Sequence, residues 1–228
     1  MSKSQGIAQT ETYTKPSLSI QVKGISYIIK RIIDILAGFA GCLLLVPLYF
    51  YVRHKNHQEG DFDPIFFRQK RIGKNGTLFE MIKFRSMVPD AEEKLEQLME
   101  ENSEIKKEYE TNKKLKNDPR ITKAGEFLRR TSLDEFPQFI NVLKGEMTLI
   151  GPRPYLPREK EDMGEYYEQI IQMKPGLGGL WQVRGRSDLS FVDRCLLDVE
   201  YTRNWNIIWD FKILLKTIQI VLLRKGAI

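Results

Sequence analysis

Two adjacent carboxylates, Asp134 and Glu135, sit in the stretch RRTSLDEFPQ, just after two arginines and just before a proline. Pro137 fits a helix only in its first turn, because its ring fixes φ and removes an N–H that an interior position needs. A helix is therefore expected to start shortly before Pro137, with Asp134 at or beside the N-cap and Glu135 in the first turn. Free N–H groups and the helix dipole favour negative charge there. An ionised aspartate so placed can attack phosphorus once the phosphate charge is offset. Arg129 and Arg130 can supply part of that offset, and Glu135 can hold a divalent metal for the rest. The bland alternative is a capping box between Ser132 and Glu135, with no chemistry at all.

Three further basic segments favour chemistry. Lys83-Phe84-Arg85, Pro152-Arg153-Pro154 and Arg184-Gly185-Arg186 each fall at a strand end or in a stiff loop, not on a solvated helix face. Arginines held in that way suit bidentate phosphate binding. The net charge of +6 fits nucleic acid, an anionic membrane surface or phosphate-bearing substrates. The only cysteines, Cys42 and Cys195, give no disulfide framework, which fits a reducing compartment.

The elements that must position these groups begin with a membrane segment. Residues 1–24 are polar and read as a disordered tail with no cleavable signal peptide. Ile35 to Val52 then runs for 18 residues without a charge, which is about 27 Å as a helix and near the lower limit for crossing a bilayer. Lys30 and Arg31 precede the run, and Arg53, His54 and Lys55 follow it. Asp34, at its start, is costly in lipid unless paired, with Lys30 or Arg31 as the nearest partners. Pro47 lies inside and favours a kink. Basic flanks on both sides fit a bent segment that returns to the same face and also fit a kinked single span.

Beyond it, Asp63 to Met87 alternates apolar and polar residues around Lys74-Asn75-Gly76, which predicts a β-hairpin. Its second strand sets Phe79, Met81, Lys83 and Arg85 on one side and Ile82 and Phe84 on the other. Ala91 to Lys116 has helical spacing through Leu95, Leu98, Met99, Ile105 and Tyr109. Short helices are expected over Gly125–Arg130 and up to Leu143, closed by Lys144-Gly145. GPRPYLP and KPGLGGLWQVRGRS read as loops, the second carrying three basic side chains. Asp193–Arg203 reads as a helix, and Trp205–Leu223 as an amphipathic helix suited either to a membrane interface or to a core.

Taken together, these pieces resemble the bacterial sugar transferase family, the monotopic phosphoglycosyl transferases. The likeness rests on KRIIDI, RQKRIGKNGTLFEMIKFRSM, DPRITKAGEFLRRTSLDEFPQFINVLKGEMTLIGPRP, KPGLGGLWQVRGRSDLSF and LDVEYTRNWNIIWDFKILLKT. It implies an α+β fold: a re-entrant membrane helix over residues 25–53, bent near Pro47, joined to a mostly helical cytoplasmic catalytic domain over 54–228. That domain would carry a small β-hairpin and amphipathic interfacial helices. It implies transfer of a sugar phosphate from a UDP-sugar to polyprenyl (undecaprenyl) phosphate at the inner face of the cell membrane, with release of UMP. Asp134 would be the nucleophile, and Glu135 would bind Mg2+. Lys83, Arg85, Arg129, Arg153, Arg184 and Arg186 would meet the phosphates or the nucleotide sugar. Lys30, Arg31, Asp34 and Pro47 would serve the membrane and lipid-phosphate side. Asp198 and Asp210 match further acidic positions whose roles stay open. The SDLSF stretch looks more like the hexose-phosphate branch, with an N-acetylated amino sugar as the alternative donor. No nucleic-acid partner is expected, and the oligomeric state, a homodimer included, stays open.

Two other classes compete. An aspartate-nucleophile phosphatase lacks its usual Asp-x-Asp signature around Asp134. A basic membrane adaptor would explain the charge and the anchor but not an Asp-Glu pair among arginines.

Overall fold

The computed structural model describes residues 24–112, 115–185 and 189–222. Helix α1 spans Gly24–Gln58 and continues unbroken through Pro47. Its buried residues, Lys30, Asp34, Gly38, Gly41, Leu45, Val52 and Asn56, recur at helical spacing and form one stripe against the rest of the chain. Ile28, Leu36, Phe39, Leu43, Leu44 and Phe50 lie exposed on the other faces. An apolar surface of that extent is not stable in water and marks a membrane contact. By length and composition α1 can cross a membrane.

Strands β1 (Phe66–Ile72) and β2 (Leu78–Phe84) form the antiparallel hairpin read in the sequence, with Phe66 opposite Phe84 and Ile72 opposite Leu78. Asn75 (φ 55°) and Gly76 (φ 76°) take the left-handed conformations that this dipeptide accommodates. Phe79 and Met81 are buried with Val142 and Met147, while Phe84 packs with Leu45, Val52 and Leu128.

The single helix expected over Ala91–Lys116 is instead two, α2 (Ala91–Glu101) and α3 (Ser103–Asn112). Asn102 makes the break: its backbone is extended and its side-chain oxygen accepts from the N–H groups of Glu104 and Ile105. Helix α4 (Lys123–Thr131) is capped by Thr122, whose hydroxyl accepts from the Gly125 N–H. A 3-10 turn, Leu133–Glu135, separates it from α5 (Gln138–Lys144).

Strand β3 (Thr148–Ile150) leads through the short helices α6 (Lys160–Met163) and α7 (Tyr167–Ile170) to β4 (Gly176–Gly178). β3 and β4 pair in parallel, an element not read in the sequence. Helices α8 (Leu180–Arg184), α9 (Phe191–Asn204) and α10 (Ile207–Leu222) complete the described chain. Leu149, Ile150, Met173, Leu180, Val183, Tyr201 and Ile213 form the core between them. On α10, Ile208, Phe211, Leu215 and Ile218 form an exposed apolar stripe, whereas Trp205 and Trp209 pack on the core. The amphipathic reading of this segment holds, but its tryptophans face inward. Both cysteines are free thiols.

Helix α1 crosses α5 at very close range. A side chain at Gly41 would collide with the Phe139 ring, and one at Gly38 would lie 2.9 Å from Leu143. Polar ties add to this docking. Lys30 Nζ donates to Asp210 (2.6 Å) and to the Ile150 carbonyl (2.7 Å). Asp34 accepts from the Thr148 hydroxyl and the Leu149 N–H, each at 2.9 Å. Arg31 closes the C-terminus of α5 by donating to the Val142 and Leu143 carbonyls. The pairing of Asp34 with Lys30 or Arg31 expected from the sequence is thus corrected. Lys30 and Asp34 both reach β3, Lys30 reaches Asp210 of α10 as well, and Arg31 reaches the end of α5, because this side of the helix faces the globular part.

Candidate active site

Asp134 and Glu135 lie in the 3-10 turn, not at the N-terminus of α5, which starts three residues later. The cause is Ser132. It ends α4 in the left-handed region (φ 57°) and redirects the chain before Pro137 can begin a helix. Such a conformation is rare for serine and costs backbone energy, which is a feature of functional turns. No side-chain cap is made by Ser132, so the capping box does not form.

Glu135 Oε1 instead accepts from Lys83 Nζ at 2.9 Å. Lys83 is delivered by β2, and Arg129 by the last turn of α4. Arg129 is seated by Ser86, whose hydroxyl accepts from its Nε at 2.9 Å. Gly125 permits that seat, since any side chain there would overlap the Ser86 carbonyl. Half-buried Asp134 lies within the fields of all three. Burial, and then the charge on Glu135, push its carboxyl up to about 6, against the pull of Lys83 and Arg129. A carboxylate so destabilised in its ionised form is a common mark of a reacting group.

The other expected site residues fall elsewhere. Arg85 is buried and fully engaged, donating to Asp61 at 2.7 and 2.8 Å and to the Pro64 and Met87 carbonyls. Arg184 pairs with Glu200 at 3.0 Å on the surface. Arg186 lies outside the described residues. Asp210 accepts from Lys30, from the Tyr201 hydroxyl (2.6 Å) and from Trp205 Nε1 (3.1 Å), tying α1 to α9 and α10. Asp198 is wholly buried, accepts from the Arg153 N–H and the Tyr155 hydroxyl at 2.9 Å each, and is pushed by burial up to about 7.

Sequence reasoning missed Ser86, and it missed Arg71, whose guanidinium feels both Glu135 and Arg153. Arg71 lies on the hairpin's first strand, in register with Phe79. Its basic neighbourhood in RQKRIGKNG was the available signal. Among the described residues no group of three or more His, Cys, Asp or Glu side chains could enclose a metal. Two adjacent carboxylates do suit a hard cation such as Mg2+, which typically takes one or two carboxylates and completes its sphere with substrate phosphates and water.

The bacterial sugar transferase family model matches residues 25–224, and the chain belongs to that family. It is 42% identical over 202 residues to the undecaprenyl-phosphate galactose phosphotransferase of Salmonella typhimurium, covering 89% of this chain and 42% of that protein. It is 36% identical over 225 residues to the exopolysaccharide production protein ExoY of Sinorhizobium fredii, covering 99% of both. The UDP-glucose:undecaprenyl-phosphate glucose-1-phosphate transferase of Escherichia coli is 35% identical over 217 residues, with 42% of its length covered. The chain thus spans less than half the length of two of these three relatives.

Proposed function

We propose that the chain is a polyprenyl-phosphate glycosyl-1-phosphate transferase that moves a hexose phosphate from a UDP-sugar to undecaprenyl phosphate. The observation that carries this reading is Asp134, half-buried with a raised pKa beside the Glu135–Lys83 pair and Arg129. At neutral pH its carboxylate is ionised and poorly solvated, hence a better nucleophile than a surface aspartate. An Asp134 oxygen attacks the phosphorus that bears the sugar. The bond from that phosphorus to the UMP oxygen breaks, and UMP leaves with the electron pair. A phosphate oxygen of the lipid then attacks the same phosphorus and expels Asp134 as a carboxylate. The lipid phosphate is already ionised, so no base must remove a proton. Arg129 and Lys83 offset charge on the transferring group. Glu135, with Asp134, would hold Mg2+, which supplies further neutralisation of phosphate charge when bound.

The membrane geometry supports this scheme. Thirty-five helical residues span about 52 Å, well beyond a hydrocarbon core of about 30 Å. Helix α1 runs unbroken through Pro47 here; a bend at that residue, where one backbone hydrogen bond is lost, would let it enter and leave on one face. That would keep the cytoplasmic domain at headgroup depth, where the lipid phosphate lies. Relatives named for galactose and glucose transfer favour a hexose donor. The test is release of UMP from a panel of UDP-sugars with undecaprenyl phosphate. Release from UDP-galactose or UDP-glucose is expected. A phosphatase would give free phosphate, and a non-enzymatic adaptor would give neither.

A further inference from the structure

Strand β1 runs beside the reacting carboxylates and presents a row of side chains that the chemistry at Asp134 does not use. Phe67 pairs with Lys83 across the hairpin, Gln69 with Met81 and Arg71 with Phe79. Residues directly opposite each other share a face, with Cβ atoms about 5 Å apart. Phe67 therefore stands beside the side chain that reaches Glu135 at 2.9 Å. The turn that carries Asp134 packs against β2.

The neighbouring Phe66 shows what a structural ring does in this strand. It turns to the opposite face, where its ring centre lies 5.7 Å from that of Tyr49 and 5.4 Å from that of Phe84. Phe67 has no such partner among the described residues and is 47% exposed. A single exposed phenylalanine is ordinary on a protein surface. Its place sets this one apart, since a rigid strand holds an apolar face at the flank of a charged site, where a ligand can cover it.

Two residues on, Gln69 is fixed by Arg71, whose Nη2 donates to its Oε1 at 2.5 Å. A guanidinium only donates, so the amide must turn its oxygen to Arg71 and its NH2 away. That NH2 has no hydrogen-bond partner among the described residues. One face of β1 thus carries an open aromatic ring and an oriented donor at i and i+2. A pyranose matches the pair, because its C–H bonds form an apolar patch and its hydroxyls accept from amides.

Connectivity selects the sugar over the base. In a UDP-sugar the hexose is joined through one oxygen to the phosphorus that Asp134 attacks. Uracil lies beyond a second phosphate and a ribose. A ring beside Lys83 is therefore within reach of the hexose.

We propose that Phe67 and Gln69 form the sugar-binding wall of this site, with the Phe67 ring against the C–H face of the donor's hexose and the Gln69 amide donating to one of its hydroxyls. This rests on the phosphosugar-transfer reading and names residues that select its donor.

The test measures binding without turnover. Analogues of UDP-galactose and UDP-glucose with a methylene bridge between the phosphates cannot release UMP. They are titrated by calorimetry into the full chain in lipid nanodiscs, with methylene-bridged UDP and farnesyl phosphate as references. Phe67→Ala should weaken the better of the two sugar analogues by about ten-fold and leave both references within about twofold. Phe67→Tyr keeps the ring and should restore the affinity. Equal weakening of the UDP reference would place the ring on the nucleotide, and weakening of farnesyl phosphate alone would place it on the lipid chain. Either result overturns the wall, as does a sugar analogue unaffected in a folded variant. For Gln69, a series of sugar analogues each lacking one hexose hydroxyl is compared with the parent. One of them should bind the wild type less well than the parent, and Gln69→Leu should erase that difference. A general folding defect weakens both alike and leaves the ratio unchanged, which would remove Gln69 from this role. Failure of the transfer reading has a different signature: the wild type then releases no UMP from true UDP-sugars, whatever these titrations show.

Discussion

Replacing Asp134 by asparagine should stabilise the protein while ending turnover, and the gain should depend on pH. In the folded chain the carboxyl titrates near 6 rather than 3.8, chiefly because it is buried. The folded state therefore holds the proton more tightly than the unfolded chain, and stability falls as pH rises between the two values. Below about pH 4 both states are protonated and the penalty is absent. Above about pH 6 it is complete, at roughly 2 units or about 3 kcal/mol. Asparagine keeps the shape and carries no charge, so it escapes the penalty. For a chain of this size about 3 kcal/mol corresponds to a rise in Tm on the order of 5–10 °C. The assay is thermal unfolding of both forms in nanodiscs at pH 4 and pH 7.5. The expected result is a higher Tm for Asp134→Asn at pH 7.5 and matching values at pH 4. A variant less stable than wild type at pH 7.5, or a gain equal at both pH values, would refute the claim that burial of charge strains this site.

Other consequences are open to measurement. Glu135→Gln removes the neighbouring charge that raises Asp134, so the acid limb of the kcat/KM profile, expected near pH 6, should move to lower pH by on the order of one unit. The same variant should blunt the response of rate to Mg2+, which a Mg2+ titration measures. Asp210→Asn leaves Lys30 buried without its counter-charge and should cost about 3–5 kcal/mol. Unfolding and limited proteolysis should then show α1 released from the globular part, whereas a Tm unchanged from wild type would remove Asp210 from that role.

What the sequence disclosed and what it hid differ by the range of the interactions. The hairpin was legible because Asn75-Gly76 specifies its turn locally. The apolar run of α1 and the Asp134-Glu135 pair were equally local. The break at Asn102 and the left-handed Ser132 were not, since neither residue type demands what it does there. The partnerships were hidden most completely. Lys30 and Asp210 are 180 residues apart, and Asp34 and Thr148 are 114 apart. Only the fold reveals that charges expected to face lipid instead fasten the membrane helix to the domain. Arg85 carried the same signal as Arg129, a basic residue near the site, yet Asp61 occupies it, while Ser86 holds Arg129 beside the nucleophile.

The proposed chemistry requires Asp134 to become esterified to a phosphosugar. Intact-mass analysis of the chain incubated with a UDP-hexose and no lipid acceptor tests it most directly. An added hexose phosphate is expected on Asp134, lost when undecaprenyl phosphate is supplied and absent in Asp134→Asn. Product formation at a normal rate in that variant, or turnover of the wild type with no adduct under any quench, would contradict it.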